Sequence, residues 1–370
     1  MSGMRGRVLV GPAPLRQIEA VFGPILQEAG LEVRYPPRRQ ILEEVQMTEA
    51  ELLEHLPGCV AAIAGSEPYT RRVIERAAAA GLLVIARAGV GYDGVDVAAA
   101  SEYGVVVCYA PGTNHEAVAE HTFALMLGLL RNIRGQDQAI RRGEWPRRAV
   151  EPARGKVLGI IGLGRIGKAV ARRARVFGMT VLAHDIAPDH TFAAAEGIQL
   201  VPLETLLRQA DIVTLHVPKT PQTVNLICRQ TIQWMKPNAL LINTARGGIV
   251  NESDLYEALR SGRLAGAGLD VFAEEPPCSS PLLQLDNVLL TAHTAGVDHR
   301  SREEMARVPA QAITRLLAGE WPEEWIVNPQ VQDAFLRRWR QWKERVRDSR
   351  CATLGVPPFP SRGEQTRQCS

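Results

Sequence analysis

Three glycines, Gly162, Gly164 and Gly167, interrupt the stretch "VLGIIGLGRIGKAV" (157–170) between an apolar strand pattern and a helical one. That spacing suits a phosphate. Gly162 permits a tight turn, Gly164 lets a pyrophosphate approach the backbone, and Gly167 allows the helix to pack closely, while the helix N-terminus favours negative charge. Asp185 stands 23 residues after Gly162, at the end of the next predicted strand. A carboxylate there accepts hydrogen bonds from ribose hydroxyls and repels a 2′-phosphate. The following "IAPD" contains no arginine to receive one, so the expected cofactor is NAD rather than NADP.

Three further stretches carry reactive side chains at or beyond predicted strand ends: "NTARGGIV" (243–250), "GLDVFAEEPP" (268–277) and "LLTAHTAG" (289–296). Arg246 offers a planar, bidentate cation that can hold a carboxylate and polarise a neighbouring carbonyl. His293 can give or take a proton near neutral pH. A carboxylate from Glu274 or Glu275 could orient that imidazole. Singly, each has a plain structural reading, as a surface ion pair, a strand-end histidine or a solvated turn. Their position downstream of a dinucleotide loop makes carbonyl reduction the chemistry they share.

The elements that must position them alternate strand and helix. "RVLVG", "LEVRY", "CVAAIAG", "LLVIARAG" and "GVVVCYAPG" form a first series, and an apolar helix over 114–132 follows. A second series begins at Val157 with "VLGII", "TVLAHD", "DIVTLHVP", "ALLINTA", "GAGLDVF" and "NVLLTAH". Two βα series predict doubly wound parallel sheets, and the six strands of the second match a dinucleotide-binding sheet. A helix containing Pro309 follows, with a kink expected there.

The 370 residues suffice for two domains, and 46% hydrophobic with 22% charged residues is a globular composition. No apolar run has bilayer length and the N-terminus lacks a signal-type apolar region. The six cysteines (59, 108, 228, 278, 351 and 369) show no metal-type spacing. No metal is expected, and reduced thiols in a cytoplasm are. The net charge of +3 hides a division: residues 333–370 carry nine Lys/Arg against four acids, a net +5, leaving −2 on the rest. The chain body is therefore no nucleic-acid binder by charge. Within the tail, Phe335, Leu336, Trp339, Trp342 and Val346 share one helix side. The expectation is a flexible basic extension, or else a helix docking its aromatic face on a partner subunit, or else a segment that binds an anionic membrane or nucleic acid; "GVPPFPSRGEQTRQCS" (355–370) reads as disordered.

In order, "RAGVGYDGVD" (87–96), "PGTNHEAVAEHT" (111–122), "GLGRIG", "NTARGGIV", "LDVFAEEP" and "TAHTAG" resemble the motifs of the D-2-hydroxyacid dehydrogenases. That group includes phosphoglycerate dehydrogenase, glyoxylate/hydroxypyruvate reductase and D-lactate dehydrogenase, and the resemblance runs from about Arg7 to about Val331. It implies that Arg246 binds substrate, that Glu275 rather than Glu274 is the catalytic carboxylate, and that His293 is the acid/base. It implies further that the Val90 and Gly91 amides grip the substrate carboxylate. Besides the loop glycines, Arg165, Ile166, Asp185, Thr244, Ala245, Arg246, Asp270, His293 and Gly296 fall where family members touch NAD. The implied fold is an NAD-binding Rossmann domain (111–296) inserted into a flavodoxin-like substrate domain (1–110 and a returning helix, 297–331), with 332–370 as a tail. A small 2-hydroxy or 2-keto acid as substrate and a homodimer are implied as well.

The chain departs from the family pattern in places. Ala292 replaces the proline that usually precedes the histidine, which loosens the loop. Where phosphoglycerate-using relatives often carry an arginine, "AAIAGSEPYT" has Ala64 and Gly65, leaving Arg131 as a cation that could meet a phosphate. A formate dehydrogenase resembles this chain too, but has glutamine in place of Glu275. An NAD(H)-sensing co-repressor-like binding protein of the same fold is the non-enzyme alternative.

Overall fold

The computed structural model describes residues 6–37 and 46–354, with side chains through Asp348. Residues 355–370, expected to be disordered, lie outside the described residues. The chain divides into two compact units, one made of Met1–Thr113 with Arg302–Ser370, the other of Asn114–Ser301.

In the first unit, strands β1 (Gly6–Val10), β2 (Leu31–Arg34), β3 (Ala61–Ala64), β4 (Val84–Arg87) and β5 (Val106–Cys108) form one parallel sheet in the order β2-β1-β3-β4-β5. The order reverses between β1 and β3, as in a flavodoxin-like sheet. Successive side chains point to opposite faces. Val8, Val10, Ile63 and Val84 thus pack with Phe22 and with Ala306, Ala310 and Ile313 of the helix His299–Ala318. Leu9, Ala62 and Ile85 meet Leu52, Leu56 and Ile74 on the other face. Both faces are covered, which is why these strands read as continuous apolar runs rather than alternating ones. The helix runs unbroken through Pro309.

The second unit holds β6 (Val157–Ile161), β7 (Thr180–His184), β8 (Gln199–Leu200), β9 (Ile212–Leu215), β10 (Ala239–Asn243), β11 (Leu264–Leu269) and β12 (Val288–Leu290). They lie parallel in the order β12-β11-β10-β9-β6-β7-β8. This is the Rossmann order with a seventh strand, and its reversal lies between β6 and β9. Ligands of such sheets bind at the carboxyl ends of the strands beside the reversal. The two-residue β8 is too short to leave a periodic signal in the sequence.

The tail departs from expectation. Residues Gln332–Leu354 form a helix of the first unit, and Phe335 is fully buried in that unit's core. The Trp339 indole N–H donates to the Leu317 carbonyl (3.0 Å), and the Trp339 ring lies over Gly319, where a Cβ would come within 3.1 Å. Arg338 donates to the carbonyls of Ala78, Leu82, Tyr103 and Gly104 at 2.7–3.0 Å. The apolar stripe is the one the sequence displays; it covers its own unit's sheet, and a stripe does not specify whose surface it meets.

Candidate functional site

β6 delivers the chain directly into the glycine loop. Gly162 has φ +95°, in the left-handed region, and a Cβ there would lie 2.7 Å from the His216 carbonyl oxygen, just beyond β9. At Gly167 a Cβ would fall 2.1 Å from the Gly162 carbonyl oxygen, so only glycine lets the first turn of the helix Arg165–Val176 close on the loop. Gly164 caps that helix without a side chain, and a Cβ there would meet nothing within 4 Å. Packing does not demand glycine at Gly164, and the open space there leaves room for an anion at the helix N-terminus. Asp185, directly after β7, accepts the Leu163 amide at 2.6 Å and the Ala187 amide at 2.8 Å, which holds its carboxylate beside the loop. Exposed Arg165 and half-buried Ile166 open the helix. These features fit a dinucleotide: amides for the pyrophosphate, open space at Gly164 and a tethered carboxylate for the ribose. His216 is neutral, because burial pushes its imidazole down to about 3.

At the end of β10, Asn243 is a buried amide that folds the next residues around itself. Its oxygen accepts the Ala245 N–H (3.1 Å), and its nitrogen donates to the Arg246 carbonyl (3.0 Å). Arg246 Nη1 donates to the Ala245 carbonyl at 2.8 Å, which directs the guanidinium. Thr244 is buried with its hydroxyl 3.1 Å from that of Thr122. A Cβ on Gly247 would sit 1.6 Å from the Phe272 carbonyl oxygen. The loops after β10 and β11 therefore touch backbone to backbone, and no larger residue fits between them.

Beyond β11, the carboxylate of buried Asp270 accepts the Thr294 and Ala295 amides (2.9 and 2.8 Å), and its carbonyl accepts the His293 amide (2.8 Å). His293 itself has φ +53°. A non-glycine residue in that region costs on the order of 1–3 kcal/mol, so the surrounding bonds must hold it there. Glu275 Oε2 lies 2.7 Å from His293 Nδ1, and Glu275 Oε1 accepts the Phe272 amide at 3.0 Å. Burial raises the Glu275 pKa, but the hydrogen bonds from His293 and Phe272 and the Arg246 charge outweigh it, and the carboxyl is held below its usual range. Gly296 packs on the Asn114 side chain.

Among the cofactor-side expectations, the glycine loop, Asp185, Thr244, Ala245, Arg246, Asp270, His293 and Gly296 all fall on loops at the carboxyl ends of second-unit strands. Arg131 does not join them. It caps the far end of the helix His115–Leu130, ten residues beyond His121, the residue that reaches Thr291 (2.9 Å). At 1.5 Å per residue that is about 15 Å along the axis.

In the first unit, Val90 and Gly91 follow β4, and among the described residues their amides meet no acceptor. The adjoining loop contains Glu67, a buried acid with no spacing signature in the sequence. Glu67 is 1% exposed and accepts the Gly65 amide at 2.5 Å; a Cβ on Gly11 or Gly65 would come within 2.7 Å of its carboxylate. It therefore sits at the β1/β3 reversal. Burial raises its pKa against the Glu67 and Gly65 amide hydrogen bonds and the Arg87 charge. Arg87 Nη2 donates to Ser66 Oγ (3.1 Å), and the Tyr69 amide to the Gly94 carbonyl (2.8 Å), so this loop braces the one bearing Val90 and Gly91.

Residues 123–295 match the family described as D-isomer specific 2-hydroxyacid dehydrogenase, NAD binding domain. The chain is 42% identical over 303 residues to a D-3-phosphoglycerate dehydrogenase of Methanocaldococcus jannaschii, covering 79% of this chain and 57% of that protein. It is 39% identical over 298 residues to a glyoxylate reductase of Korarchaeum cryptofilum, covering 78% of this chain and 89% of that one. Thus it spans little more than half of the first relative and nearly all of the second. Among solved structures, the TT0316 protein of Thermus thermophilus superposes with a TM-score of 0.75 at 38% identity, over 87% of this chain and 99% of that one. D-lactate dehydrogenase of Aquifex aeolicus, complexed with NAD and lactic acid, gives 0.76 at 25% identity, over 87% and 98%.

Proposed function

The chain belongs to the D-isomer-specific 2-hydroxyacid dehydrogenase family, NAD-dependent oxidoreductases of CH–OH donors, and from that premise we propose that it interconverts a small D-2-hydroxy acid and its 2-keto acid at C2. The observation that carries the reading is the 2.7 Å His293–Glu275 pair, on loops that adjoin Arg246 in the same unit. Bound NADH supplies the hydride for reduction of C2. Arg246 holds the substrate carboxylate and polarises the carbonyl. Because Nδ1 is engaged by Glu275, Nε2 is the nitrogen that transfers the proton. In reduction the imidazolium gives it to the developing alkoxide; in oxidation neutral Nε2 takes it from the hydroxyl.

Steady-state kinetics with NADH and a panel of glyoxylate, hydroxypyruvate, pyruvate and 3-phosphohydroxypyruvate test this reading. Turnover of at least one is expected. NADH binding with no turnover across the panel would instead favour a co-repressor-like binding protein.

Two results follow from individual side chains. NADH is expected to be used in preference to NADPH, and Asp185→Ser is expected to narrow the gap, because it removes the charge that repels a 2′-phosphate. Equal use of both cofactors by the unmodified protein would place that carboxylate elsewhere. Glu275→Gln is expected to shift the decline of keto-acid reduction to lower pH. Held below its usual range, the Glu275 carboxyl is ionised near neutral pH and its charge stabilises the protonated acid; a neutral amide does so less, so the acid form is lost sooner as pH rises. An unchanged profile would break the pairing.

We place a second copy of the chain on the exposed apolar residues Ile133, Ile140 and Trp145, which are 57%, 49% and 78% exposed. Light scattering of Trp145→Glu, with a halved mass expected, checks it. No helix among the described residues is long and apolar enough to cross a membrane. Two buried, unpaired thiols, Cys59 and Cys108, fit the cytoplasm as the compartment.

A further inference from the structure

We propose that His121 is a positioning residue for the proton-transfer loop, anchoring through its Nε2–H the Thr291–Asp270 pair that holds His293 in place. The inference rests on the reading of His293 as the acid/base, and all of its geometry lies within the second unit.

The hydrogen-bond count fixes the direction of the relay. Thr291 has one hydroxyl proton and gives it to Asp270 Oδ1 at 2.6 Å. At 2.9 Å from His121 Nε2, the same oxygen must then accept, so Nε2 carries a proton. Asp270 Oδ1 is also 3.7 Å from His121 Nε2 and accepts the Thr294 amide, while Oδ2 accepts the Ala295 amide. One buried carboxylate thereby orders the residues on both sides of His293. Its link through Thr291 to the helix His115–Leu130 is the His121 ring, which is 23% exposed.

The chain needs such an anchor at this point. His293 occupies the left-handed region at φ +53°, a conformation that relaxes unless its surroundings hold it. The residue before it is Ala292, whose φ no ring restricts. Loop rigidity must therefore come from hydrogen bonds, and His121 supplies one that ties the loop to a 16-residue helix. A reacting group displaced by about 1 Å can cost about 100-fold in rate, so this bond acts on turnover through the position of His293.

The test compares three substitutions. In His121→Gln the amide nitrogen reproduces the position of Nε2 and can donate; in His121→Asn it reproduces that of Nδ1 and cannot reach Thr291; His121→Ala removes both. His121→Ala and His121→Asn are expected to lower kcat about 10- to 100-fold, with KM for the keto acid and the Kd for NADH (by fluorescence) within about threefold. His121→Gln is expected to recover to within about threefold of wild type. Independently of activity, amide hydrogen exchange at Thr294 and Ala295 in the protein without cofactor should quicken at least about tenfold in the Ala and Asn variants and return in the Gln variant. The proposal is overturned if Gln and Asn behave alike, if kcat is unchanged in all three, or if the two amides exchange at wild-type rates while kcat falls. If the wild type turns over no keto acid, the functional reading fails, and exchange at the two amides still decides whether His121 positions the loop.

Discussion

Arg246→Lys is expected to lower keto-acid turnover by about 100-fold or more while leaving NADH binding within a few-fold of wild type. The substitution keeps the charge, so a purely electrostatic role would survive it. What disappears is geometry. The Arg246 guanidinium is directed by its Nη1 bond to the Ala245 carbonyl, and its own carbonyl is held by the Asn243 side chain. The loop beneath it cannot shift, because Gly247 already abuts the Phe272 carbonyl. A lysine ammonium in that place is a point charge on a flexible stem and cannot offer two parallel N–H groups to a carboxylate. Removing the Arg246 charge from its present place also removes one of the influences that lower the Glu275 carboxyl. The measurements are kcat and KM with the best keto acid, NADH fluorescence titration and Tm. Near wild-type kcat/KM would remove Arg246 from the site, and parallel loss of NADH affinity and Tm would make it a structural residue of the loop.

The parts of the molecule legible in the sequence were those in which one residue type is forced by local geometry. Gly162 and Gly167 are glycines because a Cβ would strike the His216 and Gly162 carbonyls, so their spacing displays the turn directly. The parallel sheets were legible because strands covered on both faces must be apolar throughout. Glu67 and His121 were opaque for the opposite reason. Each gains its meaning from partners distant in the chain: Glu67 from Gly11 across the β1/β3 reversal, His121 from Thr291, 170 residues away. A lone buried acid and a lone histidine on an apolar helix have no periodic or spacing signature. In the tail, charge conceals the apolar stripe. Nine cations in 38 residues suggest a solvated extension, yet the structure turns one of them, Arg338, inward onto four carbonyls.

Ending the chain after Val331 is therefore expected to abolish stable folding of the first unit, although every residue proposed for catalysis lies between Val90 and Gly296. The removed helix carries Phe335, which is fully buried in the first unit's core, with the Trp321 ring 5.8 Å away. Emptying a phenylalanine site in a packed core costs about 3–5 kcal/mol, against a total domain stability of about 5–15 kcal/mol. The Arg338 carbonyl partners add to this. Ala78 lies in the last turn of the helix Arg71–Ala79, and Tyr103 directly follows the helix Val97–Glu102. Helix C-termini leave carbonyls unpaired and carry partial negative charge, so a cation there both satisfies and neutralises them. Two full-length variants separate these contributions. Phe335→Ala should lower stability by about 3–5 kcal/mol in denaturant titration. Arg338→Met keeps the aliphatic stem but leaves the carbonyls without their donor, and should cost about 1–3 kcal/mol or more. Activity per folded molecule should stay near wild type in both, since neither side chain belongs to the catalytic loops. A truncated chain that remained soluble, with wild-type Tm and turnover, would show that the core of the first unit closes without this helix. Phe335 would then be a passenger on the sheet rather than part of what holds it.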